Sequence, residues 1–417
     1  MVPLRAPPWV TFLALSLLFF VVSAGTFSSM GVVLPSMVRE LHWNWKQAGM
    51  GYTLLGVGCG LASFIPAILI RRIGVPSTLV VGTILLAGGF AMLGLTHSVA
   101  TYLMGTVVVG TAFAVCGTVV GTHVLTGLFQ RQSTVLGAYF TIGALGGVAG
   151  PVIYLVVQAV THGWRGYWVV FVILAILSGL FAAASTVGRK ELKTGPTVPP
   201  EQVGPAELIE GLHDWTVRRA LAAPQFYIIV AGYTMYLLIN TTAHGFAVEH
   251  LTERGVDPKI AAVMLSIEAL IGAGVSLIGG IAGEKIKPRT LMLIALFSLT
   301  LGMAGLAEAR GYILMAVYAV GMGIGFGLTF IASAMLLLTY FGKAPNLRLY
   351  SIMSLMSTSA ALGPAVGGWA RDTFGGFVGL FLVCAATAGV MLVATWFMKP
   401  PIYRRQAAGA VLQGETA

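Results

Sequence analysis

Twelve runs of apolar residues, most of them longer than about 18 residues, leave this chain few ways to fold. Hydrocarbon offers no water to the peptide groups, so a spanning segment must be a helix or part of a closed barrel. The runs are continuous rather than alternating, which selects helices. Six of them precede, and six follow, one polar stretch rich in charge and proline, Gly188–Gln225. The expected fold is therefore an all-α membrane protein with 12 transmembrane helices in two six-helix bundles. The expected division is a first bundle over residues 1–187, a linker over 188–225, a second bundle over 226–398 and a tail over 399–417.

Composition supports this reading. Charged residues are 9% of the chain, against about 25% in an ordinary soluble domain, too few to cover a water-facing surface. The net charge of +10 could point to nucleic acid or an anionic solute, but its distribution reports topology instead. With the amino terminus inside, 17 of the 24 lysines and arginines fall on the inner segments and 7 on the outer ones. That bias predicts a multi-pass protein of the plasma (inner) membrane with both termini cytoplasmic. Cys59, Cys116 and Cys384 all lie inside apolar runs and read as packing residues rather than a disulfide framework or metal site. The opening residues resemble a signal peptide, but the apolar run continues through Leu34 without a good cleavage site, so it reads as span one, Trp9–Leu34. Within the linker, Leu208, Leu212 and Trp215 are spaced for a short interfacial helix over Ala206–Ala220. A solvated linker is the alternative.

The two halves repeat features. Span five, Val135–Val160, contains GALGGVAGP, and span eleven, Tyr350–Trp369, contains ALGPAVGG. The loop after span two, RRIG, has a counterpart EKIKPR after span eight. Parallel repeats of this size build secondary transporters, with the solute site between the halves.

These residues carry a resemblance. Over its whole length the chain resembles the major facilitator superfamily, and more narrowly the monocarboxylate and oxalate:formate exchanger branch. The supporting segments are Ser28–Gly49, Phe129–Pro151, Arg218–Tyr233, His250–Met264 and Ala361–Gly375. Departures limit what the resemblance implies. The family's loop motif after span two usually has an aspartate where Arg71 stands; Glu284 keeps an acid in the second copy. Carboxylate carriers of the branch have an arginine in span eight, where this chain offers Val275 or Ser276. Some have a lysine late in span one, where Ser28 stands, and oxalate exchangers have one in span eleven, which lacks it here. The resemblance thus implies the fold and the transport cycle, and no carboxylate-binding residue.

Glu268, in span eight (Ile260–Gly283), is the one acidic residue deep in any run. An ionised carboxylate there costs several kcal/mol, so it must be protonated, paired or facing water, and such residues mark ion pathways. The alternative is a structural glutamate bonded to its surroundings. In span seven (Phe226–His250), Tyr233, Tyr236, Asn240 and His244 fall within a narrow arc of one helix face. His244 is expected to reach Glu268 or a water between them, and the two would then titrate as a coupled pair. A polar belt with headgroup-anchoring tyrosines is the bland alternative. In span five, Tyr139, Gly143, Gly147, Gly150 and Tyr154 share a face, read first as close helix packing and second as a cavity wall with a tyrosine at each end. His123, with Thr118 and Thr122, reads as an interfacial histidine. Arg71, Arg72, Glu284, Lys285, Lys287 and Arg289 are expected to latch the halves on the side of the termini or to meet anionic lipid.

No phosphate loop, catalytic carboxylate pair, nucleophile triad or metal-ligand cluster is legible, so neither an enzyme nor an ATP-driven pump is expected, and no cofactor. The expected activity is alternating-access transport of a small organic solute, such as a monocarboxylate, coupled to protons at Glu268. Expected partners are that solute, protons and membrane lipid, with no nucleic acid, and the expected unit is a monomer. Organic-acid exchange, efflux of hydrophobic or cationic compounds, and a non-transporting receptor on the same fold are the competing readings.

Overall fold

Apolar runs that must bond their own backbones become helices, and the computed structural model contains helices and no strand among its described residues, 6–129, 132–188, 215–282 and 286–401. Eleven helical stretches are individually long and apolar enough to cross a bilayer. The twelfth crossing is made by α3 (Trp45–Ala62) together with the start of α4 (Ile65–Gly94). Gly74 inside α4 sits at φ 82°, ψ 167°, just before Val75-Pro76, so the chain turns there and the rest of α4 is the third crossing. A positive φ of this kind favours glycine, which is why the RRIG loop ends in one.

Span one is two helices, α1 (Pro8–Gly25) and α2 (Phe27–Leu41), broken at Thr26. It runs past the expected end at Leu34. Span four is likewise divided at Gly117, into α5 (Val99–Cys116) and α6 (Thr118–Leu128). The half closes with α7 (Gln132–Thr161) and α8 (Arg165–Thr186). After the short α9 (Val217–Leu221) come α10 (Pro224–Glu253), α11 (Pro258–Ala282), α12 (Pro288–Glu308) and α13 (Tyr312–Phe341). Span eleven is α14 (Lys343–Ser357), a 3-10 turn over Thr358–Leu362 and α15 (Gly363–Phe374); α16 (Val378–Phe397) ends the bundle. A break in a buried helix must find other donors for its freed carbonyls. At the first break Tyr167 donates to Ala24 O at 3.2 Å; at the second Tyr139 donates at 3.4 Å to Gly117 O, which also accepts from Gly121 N–H.

Of the linker helix expected over Ala206–Ala220, residues 206–214 lie outside the described residues. Trp215 is buried with its ring edge-on to Phe341 at 5.2 Å, so it docks on the end of α13 rather than lying on a membrane surface.

The halves meet through three helix pairs, α2 with α10, α7 with α11, and α3 with α15 and the 3-10 turn. Helices α2, α3, α10 and α15 meet towards the side that carries the loops 42–44, 254–257 and 375–377, away from the termini. Bonds cross the seam: Ser266 donates to Val148 O at 2.8 Å, and Ala365 N–H to Thr53 Oγ1 at 2.9 Å. A Cβ on Gly31 of α2 would collide with the His244 carbonyl, so the first half reaches α10 by main-chain approach. Large apolar side chains such as Leu177, Ile278, Val390 and Phe397 stand exposed. Lipid accounts for a surface that water would not tolerate.

Candidate functional site

α11 carries Glu268 to the middle of the second half, where its side chain is 1% exposed. α13 approaches closely because Gly323 presents no side chain: a Cβ there would stand 2.8 Å from Glu268 O. That approach brings up Tyr318, whose hydroxyl donates to Glu268 Oε2 at 2.6 Å. From the other side comes α10. His244 Nδ1 lies 3.9 Å from Glu268 Oε1 and 2.9 Å from the carbonyl oxygen of Asn240, one turn back on its own helix. The imidazole is thus held by its own helix while facing the carboxylate.

Glu268 Oε1 and Asn240 Oδ1 are both buried without a hydrogen-bond partner among the described residues. A buried acceptor left bare costs about 1–3 kcal/mol, and more for a charged group. A proton on Oε1 would remove the charged part of that cost, and of the two carboxylate oxygens Oε1 is the one left open. The His244 side chain keeps 11% of its surface exposed, against 1% for Glu268. The less buried group therefore stands beside the more buried one, the order a proton relay needs. The same turn of α10 is where the first half arrives. Gly31 faces the His244 carbonyl, and the Tyr52 ring of α3 lies against Gly245, its hydroxyl donating to Phe27 O at 2.5 Å.

The other expected residues divide. Tyr236 and Tyr233 are buried with their rings 6.2 Å from Phe326 and 6.3 Å from Phe330, so they pack on α13 inside their own half. Tyr139 and Tyr154 make their contacts inside the first half, as the packing reading of this face expects. Tyr139 stacks on Phe19 at 4.8 Å and serves the break at Gly117. The Tyr154 hydroxyl is 2.8 Å from Ser36 Oγ, and its ring meets Tyr167 edge-on. A Cβ at Gly143 would strike Phe19, and one at Gly150 would strike Ser29, so the glycine face of α7 packs on span one, the first of its two readings.

Arg289 is not a latch between halves here. Its Nε donates to Thr395 O at 3.2 Å and its Nη2 bonds the Trp396 carbonyl, capping α16 within its own half, where unpaired end carbonyls attract a cation. Arg71 and Arg72 are exposed and enter no ion pair among the described residues. Glu284 and Lys285 lie outside the described residues.

Sequence reasoning missed Tyr318, Tyr52 and Asp372. Nothing in the run YILMAVYAVG separates Tyr318 from Tyr312; only its partner does. Asp372 left a faint signal, an acid at the end of span eleven, and its place is across the seam: its two carboxylate oxygens accept from Trp45 N–H at 3.1 Å and Lys46 N–H at 2.8 Å.

Comparison with known proteins follows the same lines. The sequence matches the family model described as Major Facilitator Superfamily over residues 15–359 and again over 238–414. No curated protein matches it significantly by sequence. Among solved structures it is similar to the nucleoside transporter NupG, with a TM-score of 0.71 at 14% identity, covering 94% of this chain and 99% of that one. Tetrameric PepTSo2 gives 0.68 at 14% identity, covering 93% and 97%. The fucose:proton symporter FucP of E. coli gives 0.58 at 15% identity, covering 93% and 98%. At these identities the likeness is one of fold.

Proposed function

The chain belongs to the Major Facilitator Superfamily of membrane transporters, and from that premise we propose that it couples movement of a small organic solute to protons carried on Glu268. One observation carries the reading: a buried carboxylate with one oxygen bonded to Tyr318 and the other bare beside His244, on the turn of α10 where the halves meet. Gain or loss of a proton on Oε1 changes the charge beside that seam. A change in seam contacts is what alternating access requires, since two six-helix units, residues 1–187 and 226–398, must rock about it. The fold is compatible with such coupling, because one structural neighbour is a fucose:proton symporter. The finer reading is proton-coupled movement of a monocarboxylate or related organic acid, with organic-acid exchange as its rival. It is supported by the resemblance of five sequence segments to that branch. In the topology proposed, both termini are cytoplasmic and the membrane is the inner (plasma) membrane. One chain supplies both halves, so a monomer suffices.

In proteoliposomes, a pH gradient is expected to drive accumulation of the transported acid, and Glu268→Gln to abolish that accumulation while solute counterflow survives. Accumulation that persists in Glu268→Gln sinks the coupling. A second reading is favoured by the two bare acceptors, Glu268 Oε1 and Asn240 Oδ1, which suit a cation or an N–H donor better than an anion. It is efflux of hydrophobic or cationic compounds. Proton-driven extrusion of organic cations, with no uptake of carboxylates, would select it.

A further inference from the structure

The start of α3 poses a complete accounting problem. The first four N–H groups of a helix have no partner within it. Two of those at the start of α3 are satisfied locally by a capping box: Asn44 N–H donates to Gln47 Oε1 at 3.2 Å, and Gln47 N–H to Asn44 Oδ1 at 2.8 Å. The other two, on Trp45 and Lys46, are satisfied, among the described residues, by Asp372 of α15 in the opposite half. The geometry is built for this approach, since a Cβ on Gly368, one turn back from Asp372, would collide with the Trp45 carbonyl. Arg371, the neighbour of Asp372, pairs with Glu253 at 2.6 Å and so ties this end of α15 to α10. At the start of α11, the corresponding helix of the second half, Lys259 N–H bonds its own Asp257 at 2.7 Å.

We propose that Asp372 is the latch that holds the two halves together on the side away from the termini, by supplying the missing half of the α3 cap, and that it is released once in every transport cycle. A carboxylate suits a helix N-terminus, where the unpaired N–H groups carry partial positive charge. Asp372 is exposed, as is its bond to Lys46. When the halves part, water can therefore take over both N–H groups and the carboxylate. The bond adds a modest bias towards closure without trapping it, as a gate that must reopen requires. The tight approach at Gly368 makes the cap all-or-none, because α15 cannot slide along α3 without losing both bonds.

The test is side-specific accessibility of one cysteine at the seam. Thr53→Cys, placed beside Ala365 and weakening that one cross-seam bond equally in every variant compared, is introduced with Cys59, Cys116 and Cys384 replaced by serine. The full chain is reconstituted in vesicles and labelled with a membrane-impermeant maleimide from either face. Asp372→Ala is expected to raise the labelling rate about fivefold from the face away from the termini and not from the other, the equilibrium change that loss of one helix cap produces. Asp372→Asn, which keeps one acceptor and loses the charge, is expected to fall between. Asn44→Ala, which removes the local cap of the same helix end, is expected to leave the rate unchanged. The latch is overturned if neither Asp372 variant accelerates labelling, if both faces accelerate equally, or if Asn44→Ala accelerates it as much. The readout needs no solute, so failure of proton coupling at Glu268 would leave the latch standing, and failure of the latch would leave the coupling standing.

Discussion

The two oxygens of Glu268 live in different surroundings, and the difference is testable one residue at a time. Oε2 accepts a hydrogen bond from the Tyr318 hydroxyl, while Oε1 faces His244 across 3.9 Å. Tyr318→Phe removes the donor and leaves a second buried acceptor bare, a loss of about 1–3 kcal/mol. The variant is expected to melt at lower temperature in detergent and to shift the pH at which transport is half-maximal. A Tyr318→Phe protein with an unchanged melting point and pH profile would show the hydroxyl to be idle. How much of this was legible at the residue scale is uneven. Glu268 announced itself because a charge inside hydrocarbon is costly whatever surrounds it. His244 followed from helical spacing. Tyr318 could not be found this way, because a tyrosine in an apolar run is unremarkable until a partner from another helix stands beside it. The same spacing put Tyr236 and Tyr233 on one face, but not the rings of Phe326 and Phe330 that α13 lays against them.

At the scale of the element, the glycines decide which helices touch. Gly323 is where α13 meets the main chain of α11 at Glu268, and an added Cβ would also lie 2.7 Å from Ile271 Cγ2. Gly323→Ala is therefore expected to force the two helices apart at a cost of about 1–3 kcal/mol. Because the separation falls at Glu268, it should also lengthen the Tyr318 contact and depress proton-driven uptake more than counterflow. Melting in detergent and paired flux assays check this; equal depression of both fluxes would deny Gly323 a part in setting up the carboxylate. Helix existence was plain in the apolar runs, but helix continuity was not. Hydroxyls from α8 and α7 reach carbonyls beside the breaks at Thr26 and Gly117, and a run of apolar letters carries no mark of a donor that arrives from 143 residues away or from another span.

For the whole molecule, the seam is the working part. Gly31 touches the carbonyl of His244, so this contact between halves is main chain against main chain. Gly31→Ala is expected to disfavour closure on the side away from the termini. Spin labels on the loops 42–44 and 254–257 should then show a growing long-distance population by pulsed dipolar spectroscopy. A distance distribution identical to that of the parent protein would mean that the halves close without this contact. Arg289 teaches the same lesson from the other direction. Its position in a basic loop suggested a bridge between halves, yet in the folded chain it completes the end of α16 by bonding the carbonyls of Thr395 and Trp396.

The sequence by itself determined that this chain lies in a membrane as two sets of six helices with one acid buried among them. Those conclusions follow from transfer free energies, which depend on what each residue is and little on its neighbours. Only the tertiary structure decided which groups satisfy that acid, where the helices break and which residues join the halves. Each of those is a pairing between groups distant in the chain, and a pairing energy exists only once packing has brought both partners within hydrogen-bond reach.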